Sequence, residues 1–170
     1  MAKLTGNEIA GGRRLAVLPV SAMAAAIALL GALEGSAALV TQPLEGGGSA
    51  LVVSGAAFEP EEAAALNNNE VEELWKTGTG TLVSSGIGSF TGIIRVKGGI
   101  VQVAAQDGLG TTAGATYVES GATLEQTSND VKLAEPMFLE GTGMDAKGAY
   151  YASDNTAKKR VLRGTAIEFA

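Results

Sequence analysis

Carboxylates are the main candidates for chemistry in this chain, whose 170 residues include no Cys and no His. This excludes a thiolate nucleophile, a Cys/His zinc site, the usual haem ligands and a Ser-His-Asp triad. Carboxylates alone could still act as the general acid and base of a polysaccharide-active enzyme. The aspartates of the strand-rich part of the chain are Asp107, Asp130, Asp145 and Asp154. Each stands beside turn-forming residues, which favours a role in turns, and we predict no catalytic residue.

The other charged residues indicate a solvated surface. Glu119 and Glu125 could project from one strand face. An acidic segment at residues 59–73 could bind Ca²⁺ weakly through oxygen ligands, but the glycine-rich calcium repeat is absent. A short basic run at residues 158–160 is typical of an outward strand face. With 12 basic and 18 acidic residues, nucleic-acid binding is not expected, and no metal or cofactor is predicted.

The first 38 residues predict a secretory signal peptide. A few basic residues precede an uncharged, Ala-rich apolar run at residues 15–33, and small residues follow it. We expect cleavage after Ala37 or Ala38. The alternative is a retained membrane helix at residues 15–33, since about 20 apolar residues span a bilayer. Either interpretation makes the export machinery a partner, with membrane contact only through residues 15–33 if the segment is not cleaved.

Residues 39–70 are interpreted as a leader or cap in front of the strand-rich region. Three consecutive glycines at residues 46–48 suggest a flexible break, and residues 51–53 suggest one short strand. Pro60, the acidic residues after it and the alanines that follow suit a short helix. An acidic surface loop remains an equal alternative.

Residues 71–170 predict many short strands. Apolar residues recur at every second position, which is typical of strands with one buried and one wet face. The alternating pairs are Ile94 with Val96, Val101 with Val103, and Met137 with Leu139. Glycines recur too often for long helices, and the few aromatic residues argue against a sandwich. The predicted fold is all-β, a right-handed parallel β-helix (solenoid) behind an N-terminal apolar signal helix.

Residues 74–110 contain an ordered motif. It has a Leu-x-Lys-x-Gly-x-Gly-x-Leu opening, an aromatic-Thr-Gly step, an alternating strand that ends in Gly, and a final Leu-Gly turn. The matching positions are Leu74, Lys76, Gly78, Gly80, Leu82, Phe90, Thr91, Gly92, Gly98, Leu109 and Gly110. The segment resembles the autotransporter-associated β-strand repeat (passenger-associated transport repeat) of bacterial autotransporter passenger domains.

The resemblance extends over about residues 71–169. Residues 116–126 and 132–151 resemble the segments that follow such repeats. The chain departs from the family in having one good copy of the repeat and in placing Trp75 at a position that is usually small or polar. Because no translocator follows, we interpret the chain as a piece of a longer passenger.

The resemblance implies an exported, surface-displayed or secreted bacterial protein. Its expected function is that of a non-catalytic, adhesin-like or stalk-like passenger segment with host-cell or polysaccharide surfaces as partners. Two alternatives remain: an extracellular polysaccharide-active β-helix enzyme and a structural protein of a surface layer or matrix.

Overall fold

The structure is a computed structural model that describes residues 39–127, 131 and 133–153, together with the backbone of residues 167–169. The helix and strands of this part of the chain are short. In chain order they are β1 (Thr41–Pro43), β2 (Ser49–Val53), α1 (Pro60–Asn67), β3 (Glu73–Lys76), β4 (Thr81–Ser84), β5 (Ile93–Val96), β6 (Ile100–Val103), β7 (Ala115–Val118), β8 (Thr123–Gln126), β9 (Met137–Leu139), β10 (Tyr150–Ala152) and β11 (Ile167–Phe169). A 3₁₀ turn at Met144–Ala146 precedes β10.

The strands form two sheets. The larger sheet has the order β1-β2-β3-β5-β7-β9-β11, and the smaller has the order β10-β8-β6-β4. From β3 to β10 consecutive strands therefore alternate between the sheets, and each pairs in parallel with the strand two elements away. We call a strand of the larger sheet and the following strand of the smaller sheet a layer. Adjacent layers are about 4.8 Å apart, the usual spacing of paired strands.

Helix α1 lies between β2 and β3. Pro60 occupies its first turn with Glu61 and Glu62, which complement the positive end of the helix dipole. The Glu62 carboxylate accepts a hydrogen bond from the backbone N–H of Glu59 at 2.9 Å, which fixes the helix start. Buried Ala65 and Leu66 attach the helix to the sheets. Of the two interpretations of this segment, the helix is therefore confirmed.

The predicted all-β, right-handed parallel β-helix is wrong. The described residues form a mixed sheet, a parallel sheet and helix α1, with no closed solenoid, so the architecture is α/β-like. The antiparallel component is the pair β1–β2. The chain reverses direction between β1 and β2 at the glycine run of residues 46–48. These glycines have positive φ values and form a tight turn rather than the flexible break that we expected.

The core lies between the two sheets. The alternating apolar pairs of β5, β6 and β9 are all buried there, as predicted from their period of two. The strand register also aligns buried apolar residues of successive strands in columns: Leu51 lies opposite Leu74, and Leu74 lies opposite Ile94. Burial of such apolar columns stabilises the fold by about 25 cal/mol for each Å² removed from water.

The predicted signal peptide and N-terminal apolar helix lie outside the described residues, as do Ala37 and Ala38. Among the helices of the described part, none has the length and apolar character needed to cross a membrane.

Candidate functional site

The apolar residues of the repeat motif are core residues. Leu74, Leu82, Phe90 and Leu109 are each at most 4% exposed and belong to one cluster of packed side chains. They come from β3, β4 and the segments that follow β4 and β6. Their role in this structure is packing between layers.

Lys76, the motif lysine, is a buried cation. Its side chain is fully buried at the end of β3. The Nζ ammonium donates hydrogen bonds to the backbone O atoms of Thr77 (2.6 Å), Gly78 (3.4 Å) and Gly98 (3.3 Å). Its three donors thus join the turns of two successive layers. Burial holds the pKa of Lys76 below its usual value.

The motif glycines and Thr91 serve the turns between strands. A Cβ at Gly92 would collide with the backbone O of Glu72 in the preceding layer, so only glycine fits there. Gly110 has a φ of +79°, a left-handed conformation that glycine adopts without strain. The backbone N–H and hydroxyl of Thr91 both donate to Oδ1 of Asn69 at 2.8 Å. The remaining motif glycines lie in turns: Gly78, Gly80 and Gly98.

The outer face of the larger sheet carries a column of large side chains that the motif does not include. Trp75, Arg95, Tyr117 and Phe138 lie opposite one another on β3, β5, β7 and β9, and all four are half-buried. We call this column the outer ladder. The Tyr117 and Phe138 rings are stacked with centroids 4.5 Å apart and planes at 8°. The Arg95 guanidinium lies over the Tyr117 ring, 4.8 Å from its centroid.

Charged groups hold the ladder in place. Arg95 Nε donates to Glu73 Oε2 at 2.9 Å, and Trp75 Nε1 donates to the same oxygen at 2.5 Å. Burial raises the pKa of Glu73, but the hydrogen bonds from Arg95 and Trp75, together with the positive charges of Arg95 and Lys97, outweigh burial, and the pKa lies below its usual value. The hydrogen bond to Glu73 raises the pKa of Arg95. Lys97 lies 4.1 Å above the Trp75 ring, an attraction of about 0.5–1 kcal/mol at an exposed site.

An open groove of about 390 Å³ adjoins the ladder at its Tyr117–Phe138 end. Arg95, Glu119 and Glu140 border it, together with Ser120. The groove therefore combines aromatic ring surface with hydrogen-bond donors and acceptors. Such a combination suits a ligand that has both apolar and hydroxyl surface.

Of the four aspartates weighed as catalytic candidates, the two that the structure describes, Asp107 and Asp145, lie in different turns. Asp107 lies in the segment after β6, where its Oδ2 accepts the backbone N–H of Gly86 at 3.1 Å. Asp145 has a φ of +53° in the 3₁₀ turn. Both therefore have the predicted turn roles. Asp130, Asp154 and the basic run at residues 158–160 lie outside the described residues.

Glu119 and Glu125 do not share a strand face, so that expectation is wrong. Glu119 follows β7 of the larger sheet, and its carboxylate lies 3.6 Å from Lys97. Glu125 is in β8 of the smaller sheet and accepts a hydrogen bond from Gln102 at 2.9 Å. The two residues are separated because the chain changes sheets between them, which the spacing in sequence does not reveal.

The carboxylates of the acidic segment at residues 59–73 have different hydrogen-bond partners and do not form one site. Glu62 caps α1 and Glu73 binds the outer ladder, as described above. Glu72 accepts the backbone N–H of Ser49 at 2.6 Å, and Glu70 accepts from Asn68 at 3.2 Å. Within the described ranges, no three carboxylates are grouped so that they could hold a metal ion.

A second cavity, of about 200 Å³, is lined in part by Glu135, whose side chain is buried. Glu135 precedes β9 and is 3% exposed. One of its oxygens, Oε1, accepts a hydrogen bond from the Thr116 hydroxyl, while buried Oε2 has no hydrogen-bond partner. Burial raises the pKa of Glu135 to about 7, and the bond from Thr116 opposes that shift. Thr111 and Thr112 also line the cavity.

Sequence reasoning missed both the outer ladder and Glu135. The ladder had one visible signal, because Trp75 departs from the motif at a position that is usually small or polar. The other three ladder residues follow at nearly equal intervals, which alignment of successive layers could have exposed. Glu135 had no such signal, since a single Glu before Pro136 is typical of a surface turn.

No protein-family model, no curated protein and no solved structure matches this chain.

Proposed function

We propose that this chain is a non-catalytic, adhesin-type segment displayed outside the cell, and that it contacts a neutral polysaccharide at the groove beside the outer ladder. The groove is the observation that carries the proposal. Display outside the cell is supported by the signal-like residues 1–38 and by the resemblance of residues 74–110 to passenger repeats.

The groove has the surface that a sugar chain requires. Tyr117 and Phe138 border the groove and offer apolar surface to the C–H groups of a pyranose. Arg95 and Ser120 offer donors for hydroxyl groups, and Glu140 offers an acceptor. The hydrogen bonds and stacking contacts of the ladder hold Arg95, Tyr117 and Phe138 in place before a ligand arrives. Preorganisation of this kind lowers the entropic cost of binding.

The charges at the groove favour a neutral glycan over an acidic one. Arg95 is paired with Glu73, so its positive charge is compensated. Glu119 and Glu140 add negative charge at the rim, and Lys97 compensates only the former. A uronic acid or sulfated chain would therefore be repelled.

The absence of a catalytic role is supported by how the carboxylates of the described layers are used. Glu73 and Asp107 each accept hydrogen bonds that join one layer to another. Retaining or inverting glycosidases need two carboxylates about 5–9.5 Å apart across a bound sugar, one as acid and the other as nucleophile or base. In the groove, one of the two carboxylates, Glu119, is already paired with Lys97.

Affinity electrophoresis of the full chain tests the proposal. The protein migrates through gels that contain a neutral β-glucan, a neutral galactomannan or acidic pectate. A combined Tyr117→Ala/Phe138→Ala variant removes the aromatic surface of the groove. Tyr151→Ala is the matched control, because Tyr151 is an exposed aromatic residue on the smaller sheet. Circular dichroism verifies that each variant is folded.

We expect a neutral glycan to retard the wild-type protein and Tyr151→Ala equally, and the combined variant to lose at least about tenfold in affinity. Each tenfold loss corresponds to about 1.4 kcal/mol of binding free energy. Equal retardation of both variants, or stronger retardation by pectate, would contradict the proposed contact. Release of reducing ends from a glycan during incubation would contradict the non-catalytic function.

A further inference from the structure

Glu73 is a carboxylate that contacts the outer ladder without lining the groove. It is the first residue of β3 and is 9% exposed. Its Oε2 accepts hydrogen bonds from Arg95 Nε and Trp75 Nε1, and its Oε1 accepts one from Arg95 Nη2 at 3.3 Å. Both carboxylate oxygens are therefore occupied by ladder residues, and Glu73 is not among the residues that border the groove. Its influence on a ligand in the groove must pass through its partners.

Arg95 connects Glu73 to the groove. Two atoms of its guanidinium, Nε and Nη2, donate to Glu73, and the same guanidinium lies over the Tyr117 ring. Arg95 also borders the groove, as Tyr117 does. The third nitrogen, Nη1, carries two N–H donors and makes no hydrogen bond to the described residues. Arg95 is therefore paired with Glu73 and still has donors for a ligand.

The charge that a ligand meets at Arg95 depends on Glu73. The described residues that border the groove or contact the ladder include two cations and three carboxylates: Arg95, Lys97, Glu73, Glu119 and Glu140. Lys97 is paired with Glu119, so Glu73 is the partner that compensates Arg95. A guanidinium without such a partner binds carboxylate groups through two parallel hydrogen bonds.

We propose that Glu73 is a specificity-determining residue of the groove: by neutralising Arg95, it makes the groove accept neutral glycans and reject glycans that carry carboxylate groups. The inference rests on the proposed function, because it concerns the same groove. The Glu73–Arg95 pair leaves Nη1 free to donate to sugar hydroxyl groups while its net charge stays near zero. Glu73 is a positioning residue in this role, since it acts on the ligand through Arg95.

Affinity electrophoresis of the full-length Glu73→Gln variant tests the proposal in gels that contain either a neutral glycan or pectate. The substitution keeps the shape of the side chain and removes its charge. Glu70→Gln is the matched control, because it changes the net charge equally at an exposed carboxylate that binds Asn68 instead of the ladder. Glu73→Asp keeps the charge on a shorter side chain. Circular dichroism verifies that each variant is folded.

We expect pectate to bind Glu73→Gln at least about tenfold more tightly than it binds the wild-type protein or Glu70→Gln, because the Arg95 charge is no longer compensated. Glu73→Asp should remain selective for the neutral glycan. The gain should disappear in the double variant Glu73→Gln/Arg95→Gln, which lacks both charges. A purely structural role of Glu73 would produce a loss of binding and no gain.

The results distinguish failure of this inference from failure of the proposed function. If pectate retards Glu73→Gln and Glu70→Gln equally while the neutral glycan still binds the wild-type protein at Tyr117 and Phe138, the inference alone is wrong. A gain that persists in the double variant would also overturn it, because the charge would then act elsewhere than at Arg95. If no neutral glycan retards the wild-type protein, both proposals fail.

The variant Arg95→Gln decides the matter if Glu73→Gln does not fold. It leaves the Glu73 charge without its partner, so the expected change has the opposite sign. A gel that contains cationic chitosan in weakly acidic buffer should bind Arg95→Gln at least about tenfold more tightly than Lys147→Gln. Lys147→Gln is the control because it removes the same charge from an exposed lysine outside the groove. Equal retardation of the two variants would overturn the proposal.

Discussion

The buried carboxyl group of Glu135 predicts how stability depends on pH. Burial raises its pKa from 4.5 to about 7, so the folded state holds this proton more tightly than the unfolded state does. Between about pH 4.5 and pH 7 the unfolded chain loses the proton while the folded chain keeps it. Stability therefore falls as the pH rises through this window, and it is constant above it. One pKa unit corresponds to about 1.4 kcal/mol, which makes the loss about 3 kcal/mol.

The perturbation is Glu135→Gln, which removes the titration and keeps the shape of the side chain. Since a domain of this size has a stability of about 5–15 kcal/mol, a change of about 3 kcal/mol is easily measured. The assay is urea unfolding from pH 4.5 to pH 8, followed by the fluorescence of Trp75, the single tryptophan of the chain. We expect the variant to lack the decline and to exceed the wild-type protein in stability at pH 8.

Glu73 and Lys76 also have shifted pKa values. The pKa of Glu73 is lowered by Arg95, so its contribution is present above pH 4.5 and is lost as the pH falls below that value. The lowered pKa of Lys76 acts on the alkaline side. Glu140→Gln, the same change at an exposed carboxylate after β9, serves as the control for the substitution itself. The reasoning is refuted if the wild-type protein and Glu135→Gln give parallel curves between pH 4.5 and pH 7.

Two further predictions concern the core and the N-terminus. Lys76→Ala should lower the free energy of unfolding by about 2–4 kcal/mol, because it leaves a cavity and removes the donor for three backbone carbonyls; Lys97→Ala, the exposed control, should cost less than about 1 kcal/mol. Urea unfolding of both variants checks this. N-terminal sequencing of the exported protein should find Ala38 or Leu39 as its first residue, and recovery of Met1 would contradict signal cleavage.

The positions of the strands could be predicted from the sequence because they depend on local pattern. Alternating apolar residues such as Val101 and Val103 have to face one way, and burial of one strand face follows directly. The same local logic correctly indicated the turn roles of Asp107 and Asp145. These features require no knowledge of which strand pairs with which.

The architecture could not be predicted in the same way because it depends on the segments between strands. The glycine run at residues 46–48 is compatible with a flexible break and with a tight turn, and the contact between β1 and β2 selects the turn. Helix α1 is only eight residues long, and an isolated helix of that length is marginal in water. It persists because Ala65 and Leu66 are buried against the sheets, a contact that no local pattern reveals.

The candidate functional residues also depend on contacts between distant segments, which local sequence pattern does not reveal. Lys76 belongs to a recognisable motif, yet its type suggests an exposed cation, and only the convergence of three carbonyls from two layers explains its burial. Glu135 offers still less in sequence, because its burial depends on Thr116, a residue of a different layer. Both are ionisable side chains that are buried between layers. For Lys76 three backbone carbonyls accept hydrogen bonds from the ammonium group, whereas Glu135 keeps one oxygen without a hydrogen-bond partner, and its pKa is raised accordingly.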